Sequence, residues 1–296
     1  MEINPIIVIG VPIDGDADPN AIETNWRRAT ETGIGCVIIN NDTKTKGVSK
    51  AKKAGAYVYV PEYAGELKLS NYETESGAER VARALAEFDR FYNHDVVINV
   101  HARLPEMASD VIKSLMYPLA DFDVRISTFV EPISEVEAQS EDIIKAQIDI
   151  HPTRRIHVLT NSQVAEVTGF SRKISEIGPP PYYRQVPIYA YRRGSLEQFV
   201  RHGPTVREMD ENIEPARALE HGLRVGAVLL NDGLHADIKV EASKPPAKKY
   251  TKSALGRMRE AEVVKIANAM GITASVDDLK ADTVAKVLAA QAKKGP

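Results

Sequence analysis

The chain is 296 residues long, 43% hydrophobic and 27% charged, with a formal net charge of −3. That is an ordinary globular make-up with room for one large domain and a small appendage, and it carries no overall basic excess for nucleic acid. The single cysteine, Cys36, excludes an internal disulfide framework and a cysteine-rich zinc site, and within GCVIIN it reads as a small buried hydrophobe.

Pro5 to Val11 is a continuous aliphatic run, the mark of a strand covered on both faces. A turn-rich loop with Asp14, Asp16 and Asp18 follows, then a helix to about Thr32, stopped by Gly33. Cys36 to Asn40 is a second strand, Lys44 to Ala54 a cationic helix, and Ala56 to Val60 a third strand. Pro61 to Tyr72 is polar and irregular. Ser76 to Phe91 reads as an amphipathic helix with Val81, Leu85 and Phe88 inward. Asp95 to Val100 is the fourth strand and Ala108 to Leu119 the next helix. Val124 to Ile133, Ile143 to Asp149 and Arg155 to Asn161 are further strands. Ile188 to Arg193 alternates as a strand, Gly194 breaks it, and Ser195 to Gly203 is a helix. A second helix is expected from about Glu208 to His221, kinked or broken at Pro215, with Glu214, Arg217 and Glu220 as an acid–base–acid row on one face.

Strands alternating with helices predict an α/β fold with a mostly parallel sheet, Rossmann-like, whose sites lie at the carboxyl ends of strands. Composition changes near Ala242. Residues 1–242 are expected to form one domain, the lysine- and proline-bearing 243–254 a linker, and 255–296 a small helical module. No apolar run approaches the roughly 18 residues of a membrane span, and the first residues carry no secretory pattern. The chain is expected to be soluble and cytoplasmic, without membrane insertion.

The stretch Tyr183 to Arg192, YRQVPIYAYR, followed by Ile213 to Gly222, IEPARALEHG, resembles the CMP-Kdo synthetases (3-deoxy-manno-octulosonate cytidylyltransferases). In that family a YRHIGIYAYR-type strand precedes LEQLRALE-G, and the pattern lines the sugar-acid site and a subunit contact. Gln185, Pro187 and Pro215 depart from it. The resemblance implies a nucleotide-diphospho-sugar transferase-like fold and allows the other motifs to be set beside this chain. Ser76-Gly77-Ala78-Glu79-Arg80 stands where the family has SGTDR, its nucleotide-base contact, and reads either as an anion dock or as a helix cap. The family's basic PARxxSTRLPGKPL loop is replaced by Val11 to Asn20 with its three aspartates. These fit a solvated turn better than a D-x-D-x-D calcium loop, which lacks its distal glutamate. The magnesium aspartate of VNVQGDEPL falls at Arg103, and a guanidinium does not ligate a dication. Asp237, in HADIKVE, stands where a second carboxylate is expected. The 255–296 module resembles LEM, SAP and Rho-N helix–extended loop–helix modules. His101, His151, His157, His202, His221 and His235 show no metal-ligand spacing.

Two readings follow. The first is a catalytically degenerate cytidylyltransferase-like protein with a binding or assembly role, set in a bacteriophage head, neck or tail. It has no catalytic residue, no metal and no cofactor. It keeps a vestigial nucleotide and sugar site at Ser76, Gly77, Glu79, Arg103, Arg184, Glu214 and Arg217. The alternative is an active nucleotidyltransferase moving CMP from CTP to a Kdo-like sugar acid with magnesium. There Asp14, Asp16 and Asp237 supply carboxylates, and Lys44, Lys46 or Arg103 supply phosphate cations. The expected partners are a second copy of the chain and other structural proteins; nucleic acid is not expected.

Overall fold

The computed structural model describes residues 3–11, 19–39, 46–60, 76–102, 104, 107–155, 163–230, 263–264, 267, 273 and 280–293. The loop carrying Asp14, Asp16 and Asp18, as well as Lys44, Pro61 to Tyr72, Arg103, Asp237 and the linker 243–254, lie outside the described residues.

Nine strands form one sheet in the order β3-β2-β1-β4-β8-β5-β9-β7-β6. They are β1 (Pro5–Gly10), β2 (Gly35–Ile39), β3 (Tyr57–Tyr59), β4 (Val96–His101), β5 (Val124–Ile133), β6 (Lys145–Arg155), β7 (Gln163–Ser171), β8 (Tyr182–Arg192) and β9 (Arg224–Leu229). The expected parallel order holds for β1, β2, β3 and β4. Beyond β4 the sheet turns mixed, because β8 runs antiparallel to both β4 and β5. The first two residues of β6, Lys145 and Ala146, also pair with Arg184 and Tyr183 of β8.

The sheet is covered on both sides, as period-two aliphatic runs require. Ile6 and Val8 point into one core with Val81, Leu85, Leu196 and Phe199, beneath α3 (Gly77–Phe88) and α6 (Arg193–His202). Ile7 and Ile9 point into the other, with Ile22, Val48 and Ile112, beneath α1 (Pro19–Glu31), α2 (Lys46–Lys53) and α4 (Ser109–Ser114). A short helix, α5 (Glu135–Ala138), follows β5. Among the described residues no helix is long and apolar enough to cross a membrane.

Some elements differ from expectation. The helix from Ala108 to Leu119 stops at Ser114, and a 3-10 turn covers Pro118–Ala120, since proline removes a donor and restricts its predecessor. The strand expected from Ile143 to Asp149 runs on through Pro152 to Arg155 as β6, at the sheet margin, where a proline's missing N–H is tolerated; of the strand expected from Arg155 to Asn161, only Arg155 is among the described residues. The strand β7, over Gln163–Ser171, lies in a stretch for which no element is expected. Of the kink or break expected at Pro215, the structure has the break: α7 (Val206–Glu211), capped by Thr205, and α8 (Ala216–Glu220), with Pro215 in front of it and Asn212 in the left-handed conformation between them. A further helix, α9 (Lys280–Lys293), lies within the expected 255–296 module.

Gly226, in β9, marks a close approach. A Cβ there would lie 2.5 Å from Pro118 Cβ and 3.0 Å from Val124 Cγ1. Proline and a β-branched strand residue yield little, so Gly226→Ala is expected to lower stability by about 1–3 kcal/mol. An unchanged urea midpoint would show that the 3-10 turn over Pro118–Ala120 moves aside freely.

Candidate functional site

β1 and β4 run side by side and end together, Gly10 opposite His101. Asn99 is a polar residue inside an otherwise aliphatic strand, and it stands beside Val8 of β1 and Tyr189 of β8. A Cβ built on Gly10 lies 3.8 Å from Asn99 Oδ1, and one built on Gly77 lies 3.8 Å from Asn99 Nδ2. The amide of Asn99 therefore sits between the end of β1 and the first turn of α3.

That turn is built by a capping box. Ser76 is extended, its Oγ accepts from Glu79 N at 3.3 Å, and its own N–H donates to Glu79 Oε2 at 2.9 Å. Arg80 donates from Nη1 to the Val11 carbonyl at 2.6 Å, tying the turn to the end of β1. The two readings of Ser76 to Arg80 thus meet in one structure: it is a helix cap, and it stands at the strand ends where a ligand is expected.

α7 and α8 close over the same turn. Glu214, on the connection between them, accepts the Ala78 N–H at 3.0 Å. Arg217 binds Glu208 through two hydrogen bonds, Nε to Oε2 at 2.7 Å and Nη2 to Oε1 at 2.6 Å, and reaches Glu79 Oε1 at 3.1 Å. Its guanidinium lies 4.5 Å from the Phe199 ring centroid. Burial pushes the Glu208 carboxyl up to about 7 against the pull of Arg217. Burial also opposes the charge on Arg217, but Glu208, helped by Glu79 and Glu214, more than offsets it and holds the proton firmly. The expected row of Glu214, Arg217 and Glu220 on one helix face is therefore corrected. Glu214 precedes α8, and Arg217 and Glu79, each 1% exposed, hold one another instead of facing a ligand.

On β8, Gln185 Nε2 donates to the Tyr189 hydroxyl at 2.9 Å and to Thr128 Oγ1 at 3.3 Å, and also bonds the Val186 carbonyl. Burial, and then the charge of Glu214, drives the Tyr189 phenol well above its ordinary range, so it stays protonated. Pro187 falls in the register shift between β5 and β8, where Thr128 Oγ1 bonds the Val186 and Ile188 carbonyls at 3.0 and 2.9 Å. A proline is accommodated at such a bulge. Arg184 stands apart from the α3 turn, in an ion pair with the buried Glu131, whose carboxyl burial pushes upward against that arginine.

Of the expected site residues, Ser76, Gly77, Glu79, Glu214 and Arg217 converge and Arg184 does not. Arg80, the last residue of the Ser76–Arg80 motif, is with them, and Asn99, Tyr189 and Glu208 join them without having been singled out for the site. Asn99 could have been found as the one amide within VVINVH, and Glu208 as the fourth residue of a Thr-x-x-Glu capping signature. Among the described residues no group of three His, Cys, Asp or Glu is placed to hold a metal ion. Glu79 and Glu208 are tied to Arg217, and Glu214 to a backbone N–H. These side chains do not fit magnesium, and no step is derived through it.

No family model matches the chain. It is 35% identical over 210 residues to a 3-deoxy-manno-octulosonate cytidylyltransferase of Methylobacterium sp. (strain 4-46), covering 70% of this chain and 76% of that protein. A protein of the same name from Paramagnetospirillum magneticum is 30% identical over 242 residues, 78% of this chain and 91% of its own. Among solved structures, a CMP:2-keto-3-deoxy-manno-octonic acid synthetase complexed with CTP superposes with a TM-score of 0.60 at 19% identity, over 77% of this chain and 90% of its own. A mannose-1-phosphate geranyltransferase from Thermus thermophilus gives 0.51 at 13% identity, over 77% and 74%. These two share the fold.

The relatives overturn the first functional reading. Degenerate chemistry was inferred from departures in the loop after β1 and at Arg103, and a place in a phage particle from the likeness of the 255–296 module to helix–loop–helix modules. The match instead runs through most of the chain, to proteins named for cytidylyl transfer. Those departures sit outside the described residues, while the cap, the strand ends and the α7–α8 contact are all in place. The chain belongs to the 3-deoxy-manno-octulosonate cytidylyltransferase family.

Proposed function

We propose that the protein transfers CMP from CTP to 3-deoxy-manno-octulosonate or a close sugar acid and releases pyrophosphate. The observation that carries this is the 35% identity over 210 residues to a relative of that name. In the reaction a sugar hydroxyl oxygen attacks the α-phosphorus. The bond from that phosphorus to its bridging oxygen breaks, pyrophosphate leaves, and the hydroxyl proton is lost. Little covalent work falls to the protein, so placement carries much of the rate.

In this reading the nucleotide lies against the Ser76–Arg80 turn at the ends of β1 and β4. Asn99 offers both an acceptor and donors there, and Tyr189 offers a phenol that stays neutral. Glu214 fills the first-turn position at Ala78 with a carboxylate of the chain's own, so phosphate is steered away from that N–H and the base or ribose is the part the turn meets. The domain of 1–242 carries the transfer, 255–296 is a module behind the linker 243–254, and the working form is a homo-oligomer.

Purified protein given CTP and the sugar acid, with and without magnesium, is expected to release pyrophosphate only when both substrates are present. Absence of both pyrophosphate release and calorimetric CTP binding at millimolar nucleotide would remove the proposal.

A further inference from the structure

One guanidinium joins the caps of two helices. Glu79 is the third residue of α3 and Glu208 the third residue of α7, and each closes its own capping box, with Ser76 and with Thr205. Arg217, on α8, bonds both carboxylates. Glu214 adds a second link from the α7–α8 connection, to Ala78 N.

The far end of α7 is held separately. Arg172 Nε donates to the Glu211 carbonyl at 2.5 Å and Nη2 to the Asn212 carbonyl at 3.2 Å, while Arg172 N–H donates to Glu211 Oε2 at 3.1 Å. The α7–α8 unit is thus anchored to the end of β7 on one side and grips α3 with the other. α3 does not need this grip to be a helix, since Ser76 and Glu79 already satisfy its first turn. What the grip adds is the placement of the turn over Gly10, Val11 and Asn99.

We propose that Arg217 is a positioning residue: through Glu79 and Glu208 it sets where the Ser76–Arg80 turn stands over the ends of β1 and β4, and thereby the affinity for the nucleotide. The inference rests on the transfer reaction proposed above for its consequence in catalysis, but not for the grip itself. Arginine is required because its planar fork meets two carboxylates at once, whereas a lysine ammonium on a flexible stem lacks that geometry.

The test compares the full-length protein with Arg217→Lys and Glu208→Gln, each first shown by circular dichroism to be folded at the assay temperature. Amide hydrogen exchange reads the grip without any activity. The N–H groups of Ala78, Glu79 and Arg80 are expected to exchange about tenfold faster in both variants, with the middle of α3 unchanged. Steady-state kinetics read the consequence: KM for CTP is expected to rise about tenfold, with kcat and KM for the sugar acid nearly constant. Folded variants with unchanged exchange at the turn overturn the inference. Faster exchange with an unchanged KM for CTP overturns its catalytic part. A wild-type protein that turns over no CTP removes the proposed function, and the exchange result then still decides the grip.

Discussion

Arg217→Met is expected to lower folding stability by about 3–5 kcal/mol, the range for breaking a buried ion pair from one side. Methionine fills much of the space against Phe199 but leaves Glu79 and Glu208 without their shared cation. Both carboxylates are buried, at 1% and 8% exposure. Each must then take up a proton or draw water inward, and both routes consume free energy. Chemical denaturation with urea at neutral pH measures the loss as a lower midpoint with an unchanged slope. A loss under about 1 kcal/mol would mean that the two carboxylates find other partners, and the three-way contact would not be holding the helices.

The second large effect concerns pH. Burial raises the Glu208 carboxyl from an ordinary 4.5 to about 7, in an environment of Arg217, Glu79, Glu214 and the phenols Tyr189 and Tyr191. Between those values the folded chain keeps a proton that the unfolded chain has released. The contribution to stability is therefore full below about 4.5 and is lost as pH rises through about 7. Glu208→Gln cannot lose that proton. Its stability relative to wild type is expected to climb by an amount on the order of 1–3 kcal/mol between about pH 5 and about pH 8, then level off. Urea midpoints of both proteins across that range measure it, and a difference independent of pH would show that Glu208 is ionised throughout. The two predictions are consistent: removing the cation strands two acids, whereas neutralising one acid leaves Arg217 with Glu79.

Much of this fold is legible from short-range pattern. The runs at Pro5–Gly10, Gly35–Ile39 and Val96–His101 are aliphatic on both faces and could only be interior strands. Ser76 announces α3 through its capping box. β6 was harder because Pro152 looks like an interruption until its place at the sheet margin is known, and β7 because, besides β6, it pairs with the distant β9. Arg217 was misread for a related reason. Helical spacing sets it beside Glu214 and Glu220, but which side is covered depends on Phe199, Glu79 and Glu208, all of them on other helices. The functional misreading had a different origin. Departures at a few loop positions were weighed above continuity elsewhere in the chain, and loops are where relatives vary while strands and caps persist.

The pairing of Lys145 and Ala146 with β8 also bears on behaviour at high concentration. A sheet margin with free N–H and C=O groups is a template for another chain. Here the start of β6 is taken up by β8, and its later part carries Asp149, Pro152, Arg154 and Arg155, a proline and charges that discourage added strands. At the opposite margin β3 is three residues long, too short to register a neighbour firmly. Both margins of the described sheet are therefore poor seeds for strand-to-strand aggregation.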